Sequence, residues 1–517
     1  MKKLTEYTSY ADALQYFSSE KLWELFDGNH EHINIAHECV DRYANSDETA
    51  LIVIRIDGPE EIISYKELSE KSSQVAHYLQ ERQVKPGDRV AVMLEPSFAF
   101  YACLYGIIKM GAIAVPLFTL FGPDGLQLRI RDCSPALLLT NNEKVGIVDA
   151  DTLKRTQLVD EQFLPMLSQF PTTFACSTRA NDLAIFQYTS GTTRELPEAV
   201  KHKHRSIVTL MVAALYGTGL RPGDRFICPS SPAWGHGLWH GTLAPMALGL
   251  TVGAFAGKFN AERLLKSLQD HRFNNISAAA THYRMMKNAG VAERFSYDLK
   301  KMSFTGEPID SATEEFIDQT FGIRVCSMYG TTEIGVILVS YPGATDFAVK
   351  HGSLGKAIPG AQVQVQDATG QPCPPGITGE LKVWRKGQWI PTKDLGRTDD
   401  EGYFFHGGRA DDVIISAGWT MSAVEIEDAI LKHPDVFEAA AIGVPDALRG
   451  QSVKAFVVTK RPGDAAFIDE IQHLVRSRLS QHEYPRQIAF VTELPKTPAG
   501  KVHRKKLREQ EQQLNQV

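Results

Sequence analysis

A short run of hydroxyl residues around one glycine is the first feature of the chain that could do chemistry. The run YTSGTT spans residues 188–193, follows the apolar stretch LAIFQ and precedes a helical pattern that begins near residue 204. Such a turn exposes successive backbone N–H groups and adds hydroxyl donors, which suits a phosphate oxyanion. The alternative is an ordinary Ser/Thr turn, and the sequence contains no Walker A pattern. The predicted phosphate-binding residues are Thr189, Ser190, Gly191, Thr192 and Thr193.

Three further stretches place reactive residue types on glycine turns. SFTGEPID covers residues 303–310, VCSMYGTTEIG covers residues 325–335, and LPKTPAGKVHR covers residues 494–504. Each is a weak signal alone, since a lone lysine in a basic tail is usually solvated. In this order, and together with the loop, they resemble the adenylate-forming (ANL) superfamily over nearly the whole chain. Within it the chain is similar to the acyl-CoA synthetase branch, in particular to acetyl- and medium-chain acyl-CoA synthetases.

The resemblance implies an ATP-dependent carboxylic acid–CoA ligase. Such enzymes join a carboxylate to the α-phosphate of ATP, release pyrophosphate and pass the acyl group to a thiol. A carboxylate is a weak nucleophile that must approach another anion, so positive charge and a metal are needed to neutralise phosphate oxygens. The implied cofactor is Mg²⁺, and ATP and CoA are the implied co-substrates.

The resemblance also assigns roles to single positions. Lys501 is expected to bridge the α-phosphate and the substrate carboxylate, where an ammonium stabilises developing charge. Thr332 is expected to contact the α-phosphate, and Glu333 to bind Mg²⁺ beside phosphate oxygens, which suits a hard cation. The remaining nucleotide contacts implied are Gly306, Glu307 and Pro308 along the adenine, Tyr329 and Gly330 at the purine, and Asp394 and Arg409 at the ribose.

The second half-reaction implies rotation of a small domain. The stretch GRADDVIISAGWTMS, residues 408–422, resembles the hinge of the family, with Asp411 as the pivot. Gly418 and Trp419 are expected to line the path of pantetheine. Thr420 stands where the family often has arginine, which puts the CoA phosphate contacts in doubt. Because the sequence shows no carrier-protein domain after Lys501, free CoA is the expected thiol, with a carrier protein in trans as the alternative.

The stretches 230–249 and 278–290 resemble the acyl-pocket segments of acetyl- and medium-chain synthetases. Tryptophans flanking glycines can wall a short apolar pocket, although core packing explains them as well. The histidines of these stretches are expected to be neutral, since an ionised carboxylate needs no general base. We expect a small to medium-chain monocarboxylic acid, with cyclic and aromatic acids among the candidates. The expected pocket residues are Trp234, Gly235, Gly237 and Thr281.

The phosphate loop departs from the family pattern. Family loops usually read TSGTTGxPKG, whereas this loop reads TSGTTRELPEAV, with one inserted residue and Glu198 in place of the lysine. A glutamate beside a polyphosphate repels it unless it points away. Arg194, Lys201 and Lys203 are candidates for the missing positive charge. The backbone donors of the loop do not depend on the lysine, so phosphate binding is expected to survive.

The elements that must position these residues alternate between helical and strand patterns. Helices are predicted over 64–82, 98–110 and 126–133, with strands over 88–94, 112–117 and 136–140. This alternation of helices and strands is typical of parallel sheets covered by helices. The predicted fold is α/β: a large N-terminal domain of parallel or mixed sheets (1–408) with a β-rich subdomain at about 340–408, and a small mobile α+β domain (409–517). The segment Gly379–Asp394 is shorter than in the family, and Lys393 replaces a usual glycine.

The composition of the chain limits the classes of molecule that it is expected to bind. The chain has 517 residues, a net charge of −6 and 22% charged residues, a balance that favours neither nucleic acid nor an anionic membrane. Seven cysteines without metal-binding spacing, and an N-terminus without a signal-peptide pattern, predict a cytoplasmic protein. The sequence leaves open whether the protein forms a homodimer.

The sequence also leaves two rival functions open: an adenylation enzyme that loads a carrier protein, and a catalytically weakened nucleotide-binding homologue.

The loop generates the first testable prediction. If the inserted residue lets Glu198 turn outward, Glu198→Lys leaves the KM for ATP nearly unchanged, whereas Thr192→Ala raises it by removing a hydroxyl donor. Lys201→Ala or Lys203→Ala is expected to raise this KM by roughly 10- to 150-fold if that lysine supplies the missing charge. A large fall in KM for Glu198→Lys, with no loss in either lysine variant, would overturn this interpretation.

Overall fold

The computed structural model describes residues 2–56, 58–188, 199–331, 334–409, 414–416, 419–446, 450–479, 484–497 and 500–514. The chain divides into two compact units. The first comprises Met1–Ala278, Val291–Ser303 and Tyr341–Phe347, and the second comprises Ala279–Gly290, Phe304–Ser340 and Ala348–Val517. No helix in the described ranges is long and apolar enough to cross a membrane.

The first unit contains helices and strands in alternation. Its helices are α1 (Tyr10–Tyr16), α2 (Ser19–Trp23), α3 (Ile35–Cys39), α4 (Tyr65–Glu81), α5 (Phe98–Lys109), α6 (Pro123–Cys133), α7 (Ala150–Leu153), α8 (Phe163–Met166), α9 (Ser206–Tyr216), α10 (Ala244–Ala247) and α11 (Ala261–Asp270). Its strands are β1 (Thr49–Arg55), β2 (Glu61–Ser64), β3 (Arg89–Met93), β4 (Ile113–Pro116), β5 (Leu137–Thr140), β6 (Thr156–Leu158), β7 (Leu183–Gln187), β8 (Val200–Lys203), β9 (Arg225–Cys228) and β10 (Thr251–Ala256). The strands β11 (Asn275–Ala279) and β12 (Lys301–Thr305) have most of their residues in this unit.

The second unit is richer in strands. Its helices are α12 (Ala280–Ala289), α13 (Ser311–Phe321), α14 (Ala423–Leu431), α15 (Ala465–Arg478) and α16 (Arg504–Leu514). Its strands are β13 (Cys326–Thr331), β14 (Gly335–Val339), β15 (Ser353–Ala357), β16 (Val363–Gln366), β17 (Gly379–Arg385), β18 (Gln388–Thr398), β19 (Phe404–Arg409), β20 (Ile414–Ser416), β21 (Trp419–Met421), β22 (Val436–Asp446), β23 (Gly450–Thr459) and β24 (Gln487–Phe490).

One sheet of the first unit carries the phosphate loop. Its strand order is β6-β5-β3-β4-β7-β8, with parallel pairs up to β7 and an antiparallel β7–β8 pair. The strands β3, β4 and β5 are apolar and almost wholly buried, as expected of parallel strands covered by helices. Because β7 ends at Gln187 and β8 begins at Val200, this hairpin holds both ends of the loop.

A second sheet of the first unit positions the expected acyl-pocket segment. The strands β9, β10 and β1 run parallel, and β2 adds an antiparallel edge. Between β9 and β10 lies a π-helical segment, His236–Leu243. Such segments are rare and are frequent at functional sites.

The second unit begins with antiparallel strands in the order β16-β17-β18-β19-β15-β14-β13. The strands β17 and β18 are joined at Lys386 and Gly387, whose φ values of 49° and 81° fit the primed turns of tight hairpins. This hairpin accounts for the shortened segment Gly379–Asp394. The later strands β20 to β24 form a separate sheet, against which Ile426 of α14 and Phe467 of α15 pack.

The predicted fold class is confirmed, and the element boundaries agree closely with expectation. The helix predicted over 64–82 is α4, with Ser64 as its N-cap in a capping box with Glu67. The predicted strands 88–94 and 136–140 are β3 and β5. The strand β8 was not predicted, because its sequence VKHK lacks an apolar alternation.

Candidate active site

A single carboxylate ties together the two ends of the phosphate loop. Residues 189–198, which include the five predicted phosphate contacts, Arg194 and Glu198, lie outside the described residues. At the loop's entry the Tyr188 hydroxyl donates to Asp132 Oδ2 over 2.6 Å, and at its exit the Ala199 backbone N–H donates to the same oxygen over 3.2 Å. Burial, and the hydrogen bond to Asp132, raise the pKa of Tyr188, so this hydroxyl stays protonated and remains a donor. Sequence reasoning missed Asp132.

The two lysines after the loop occupy the exposed side of β8. Lys201 Nζ lies 5.4 Å from the centre of the Phe186 ring, and Lys203 Nζ lies 3.4 Å from Asn181 Oδ1. Both side chains are exposed, so neither is committed to a buried ion pair. Their role as replacements for the family lysine stays a prediction.

The opposite side of this hairpin faces a tryptophan. Trp239, on the π-helical segment, is only 7% exposed, and its indole N–H donates to Gln187 Oε1 over 2.9 Å. The imidazole of His202 lies against the same indole, with ring centres 4.6 Å apart. Sequence reasoning missed Gln187 and His202. The signal available was a glutamine that ends an otherwise apolar strand next to the loop.

The glycines of the expected acyl-pocket segment differ in their packing. A Cβ at Gly237 would lie 2.1 Å from the carbonyl oxygen of Ser231, so only glycine fits there, whatever binds nearby. Gly235 has a helical φ of −53°, and a Cβ there would meet nothing closer than Gln187 Oε1 at 3.6 Å. Gly235 and its neighbour Trp234 are half-buried.

Three imidazoles lie on or beside this segment. His236 is buried and bonded to the hydroxyls of Ser230 and Ser277, at 3.1 and 2.9 Å. Burial lowers the pKa of His240 to about 4 and that of His202 to about 4. An imidazole with such a pKa is uncharged near neutral pH, which suits a wall that does not act as a base.

In the second unit, the turn expected along the adenine is anchored by charge. Glu307 accepts a hydrogen bond of 2.5 Å from Thr281 Oγ1 and lies 3.4 Å from Arg284 Nη1. Arg284 also pairs with Asp310, Nε to Oδ2, at 3.0 Å. Burial alone would lower the pKa of Arg284, but Glu307 and Asp310 raise it above its ordinary value. Gly306, which precedes Glu307 and Pro308, has a φ of 97°, a conformation that favours glycine.

The residues expected at the purine and the ribose lie together in the second unit. The Tyr329 hydroxyl donates to Asp394 Oδ2 over 2.5 Å, and Asp394 is 4% exposed. Asp394 pairs in register with Arg409 across β18 and β19; at Arg409 only the backbone is described. His406, which sequence reasoning missed, places its ring 6.1 Å from that of Tyr329.

Two backbone features surround this group. Lys393, which stands where the family usually has glycine, has a φ of 65°, so the left-handed conformation is kept without glycine. A Cβ at Gly330 would lie 2.2 Å from the carbonyl oxygen of Gly335, so this position also requires glycine.

Lys501 is presented on a tight turn. The Thr497 backbone N–H donates to the Lys501 carbonyl over 2.7 Å, and the Lys501 N–H donates to Thr497 Oγ1 over 3.3 Å. Its neighbour Gly500 has a φ of 81°, and the preceding residues 498–499 lie outside the described ranges. The predicted residues Thr332, Glu333, Asp411 and Gly418 also lie outside them, and Trp419 is described by its backbone alone.

The described residues contain no cluster of three or more His, Cys, Asp or Glu side chains that could hold a metal ion. Glu333, the ligand assigned to Mg²⁺, is outside that part of the chain. A single carboxylate completed by phosphate oxygens is nevertheless the usual donor set for Mg²⁺ in phosphoryl-transfer sites, so an all-protein cage is not required.

Comparison with known proteins identifies the family. The model for AMP-binding enzymes matches residues 40–389, and the model for the AMP-binding enzyme C-terminal domain matches residues 425–501. An uncharacterized acyl-CoA ligase of Bacillus subtilis, YtcI, is 31% identical, over 93% of this chain and 96% of that protein. The acetyl-coenzyme A synthetase of the same organism is 29% identical, over 92% and 90%.

A solved structure agrees with these relatives. The acyl-CoA synthetase of Brucella canis is 30% identical, covers 98% of this chain and 100% of its own, and superposes with a TM-score of 0.75. The chain belongs to the AMP-binding enzyme family, in the acyl-CoA synthetase branch of the adenylate-forming superfamily, whose members are AMP-forming acid–thiol ligases.

Proposed function

We propose that this ATP-dependent acid–CoA ligase activates a small to medium-chain monocarboxylic acid, with cyclic and aromatic acids included, as an acyl adenylate. The observation that carries the nucleotide site is the 2.5 Å bond from the Tyr329 hydroxyl to Asp394, with Arg409 in register opposite. A nearly buried carboxylate held by a phenol can orient its oxygens toward two ribose hydroxyls, while the aromatic ring offers a face to the purine.

The proposed chemistry uses charge and position. The acid's carboxylate oxygen attacks the α-phosphorus of ATP and expels pyrophosphate, and the thiol of CoA then displaces AMP from the acyl carbon. Lys501 stabilises the charge that develops on the α-phosphate and the carboxylate. Glu333 would hold Mg²⁺ together with phosphate oxygens, and the cation would supply charge neutralisation there. The neutral histidines of the acyl wall leave the ionised carboxylate as the nucleophile.

The proposed domains are 1–408 for ATP and acid binding and 409–517 for the small domain, with the hinge at Asp411. The two family models support this division, since one ends at residue 389 and the other begins at residue 425. We also propose a cytoplasmic location, which the seven unpaired cysteine thiols support. A homodimer is part of the same proposal, and light scattering of the purified chain tests it.

Two other functions are each suggested by a specific residue. The loop's Glu198 motivates a weakened nucleotide-binding homologue, and Thr420 in place of arginine motivates a carrier-protein thiol instead of CoA. Pyrophosphate release, measured over a panel of carboxylic acids with and without CoA, separates them. The proposed function requires release with at least one acid and acyl-CoA as the product. No release with any acid supports the homologue, and release without acyl-CoA supports the carrier protein.

The ribose assignment gives a matched pair of variants. Asp394→Asn removes the negative charge that accepts hydrogen bonds from ribose, so the KM for ATP is expected to rise by roughly 10- to 150-fold. Tyr329→Phe keeps the ring and removes only the hydroxyl, so a smaller rise is expected. Equal KM values for Asp394→Asn and wild type, in steady-state pyrophosphate assays, would refute a ribose contact.

Lys501→Ala tests the division of the two half-reactions. Loss of the ammonium is expected to slow adenylate formation by about 10²- to 10³-fold or more. Thioester formation from supplied acyl-AMP is expected to be largely spared. Rapid-quench measurement of both steps checks this, and an equal loss in both would contradict the assignment to adenylation alone.

Asp411→Pro tests the hinge. Proline fixes φ near about −65°, so the residue can no longer absorb a rotation of the small domain. The acyl-AMP step is expected to persist while transfer to CoA collapses. Acyl-CoA formation at the wild-type rate would show that the domain does not rotate about this residue.

A further inference from the structure

Two side chains that contact the Trp239 indole each have a buried polar atom without a hydrogen-bond partner among the described residues. Gln187 is 2% exposed; its Oε1 accepts from the indole, but its Nε2 has no hydrogen-bond partner in the described part of the chain. His202 Nε2 is likewise shielded and unpartnered there. A buried polar atom without a hydrogen-bond partner is costly, so such atoms call for an explanation.

The two side chains share one face of the β7–β8 hairpin. His202 pairs in register with Ile185, and Gln187 lies two residues further along β7, so both side chains point to the same side. The lysines on either side of His202 point to the other face and are exposed. The pair therefore belongs to the face that Trp239 covers.

Gly235 lies beside the amide of Gln187. Neither backbone conformation nor crowding requires glycine at this position, since its φ is −53° and a Cβ would lie at an ordinary contact distance of 3.6 Å from Gln187 Oε1. Gly237, two residues later, differs because its Cβ would collide with backbone. A side chain at Gly235 would lie against the glutamine amide, and this is the segment assigned to the acyl pocket.

Burial lowers the pKa of His202 to about 4, and no charged group among the described residues contributes to that shift. A second carboxylate or an ammonium group placed here would lie buried without a counter-charge, which is costly. A hydroxyl or carbonyl oxygen would instead accept from Gln187 Nε2, and a hydroxyl could also donate to His202.

We infer that Gln187, with His202, selects a carboxylic acid that carries a neutral oxygen, a hydroxyl or a carbonyl, on the part of the molecule remote from its carboxylate. This inference rests on the proposed function and narrows its substrate class. Unsubstituted acids and dicarboxylic acids of the same length are poorer substrates, because the first leave the amide donor unpaired and the second bury a charge.

The test compares matched acids by ATP-dependent pyrophosphate release from the full chain. The pairs are hexanoate with 6-hydroxyhexanoate and 5-oxohexanoate, and benzoate with 3- and 4-hydroxybenzoate; adipate is the dicarboxylic acid. In at least one set, an oxygenated acid is expected to exceed its unsubstituted partner, and adipate, by about tenfold or more in kcat/KM. Preference for the unsubstituted acid in both sets would overturn the inference and leave the proposed function standing. No release with any acid would instead remove the proposed function.

Two variants attribute the preference to the amide. Gln187→Met keeps a similar volume but removes both the amide donor and the acceptor of the Trp239 indole N–H, and it is expected to abolish the preference for the oxygenated acid. Gly235→Ala is expected to reduce the preference by covering the amide. Gln74→Met is the matched control, because Gln74 is also a nearly buried glutamine with an unpartnered amide atom but lies on α4. A preference unchanged in Gln187→Met, or lost equally in Gln74→Met, would refute the role of Gln187.

Discussion

The phosphate loop depends on the carboxylate of Asp132. One oxygen of that group accepts from the hydroxyl of Tyr188 before the loop and from the backbone N–H of Ala199 after it. The distance between the loop's ends is therefore set by α6 and the hairpin rather than by the loop's own sequence. An inserted residue within the loop would therefore not by itself move the two ends apart. The raised pKa of Tyr188 keeps that hydroxyl a donor throughout the physiological range.

At the residues expected to bind the nucleotide, the backbone geometry likewise does not depend on one particular side chain. Lys393 keeps the left-handed conformation that glycine adopts easily, at a cost of about 1–2 kcal/mol. The tight turn at Lys386 and Gly387 joins β17 to β18, the strand that carries Asp394. The position of Asp394, hydrogen-bonded to Tyr329 and in register with Arg409, therefore follows from strand pairing.

The sequence predicted the apolar elements well, because they have local signals. The capping box of α4 and the buried strands β3 and β5 are examples. Asp132, Gln187 and His202 had no such signal. Asp132 lies in an amphipathic helix 56 residues before Tyr188, and His202 belongs to a strand whose mixed pattern does not predict pairing with β7. These residues acquire their roles from antiparallel pairing and from the π-helical segment, and neither is encoded by local periodicity.

The residues expected to line the acyl pocket and those expected at the nucleotide differ in their electrostatics. Around Glu307 and Asp310, opposite charges at 3.0–3.4 Å fix the turn expected along the adenine, so rigidity there comes from ion pairs. Around Trp239 the imidazoles of His202 and His240 have pKa values near 4, so they lose charge as the pH rises above that value and stay neutral from about pH 5 upward. A charged side chain in an acyl pocket would attract or repel an ionised carboxylate. A neutral wall leaves selection of the acid to shape and hydrogen bonds, whose strength does not vary with pH in the range where the carboxylate is ionised.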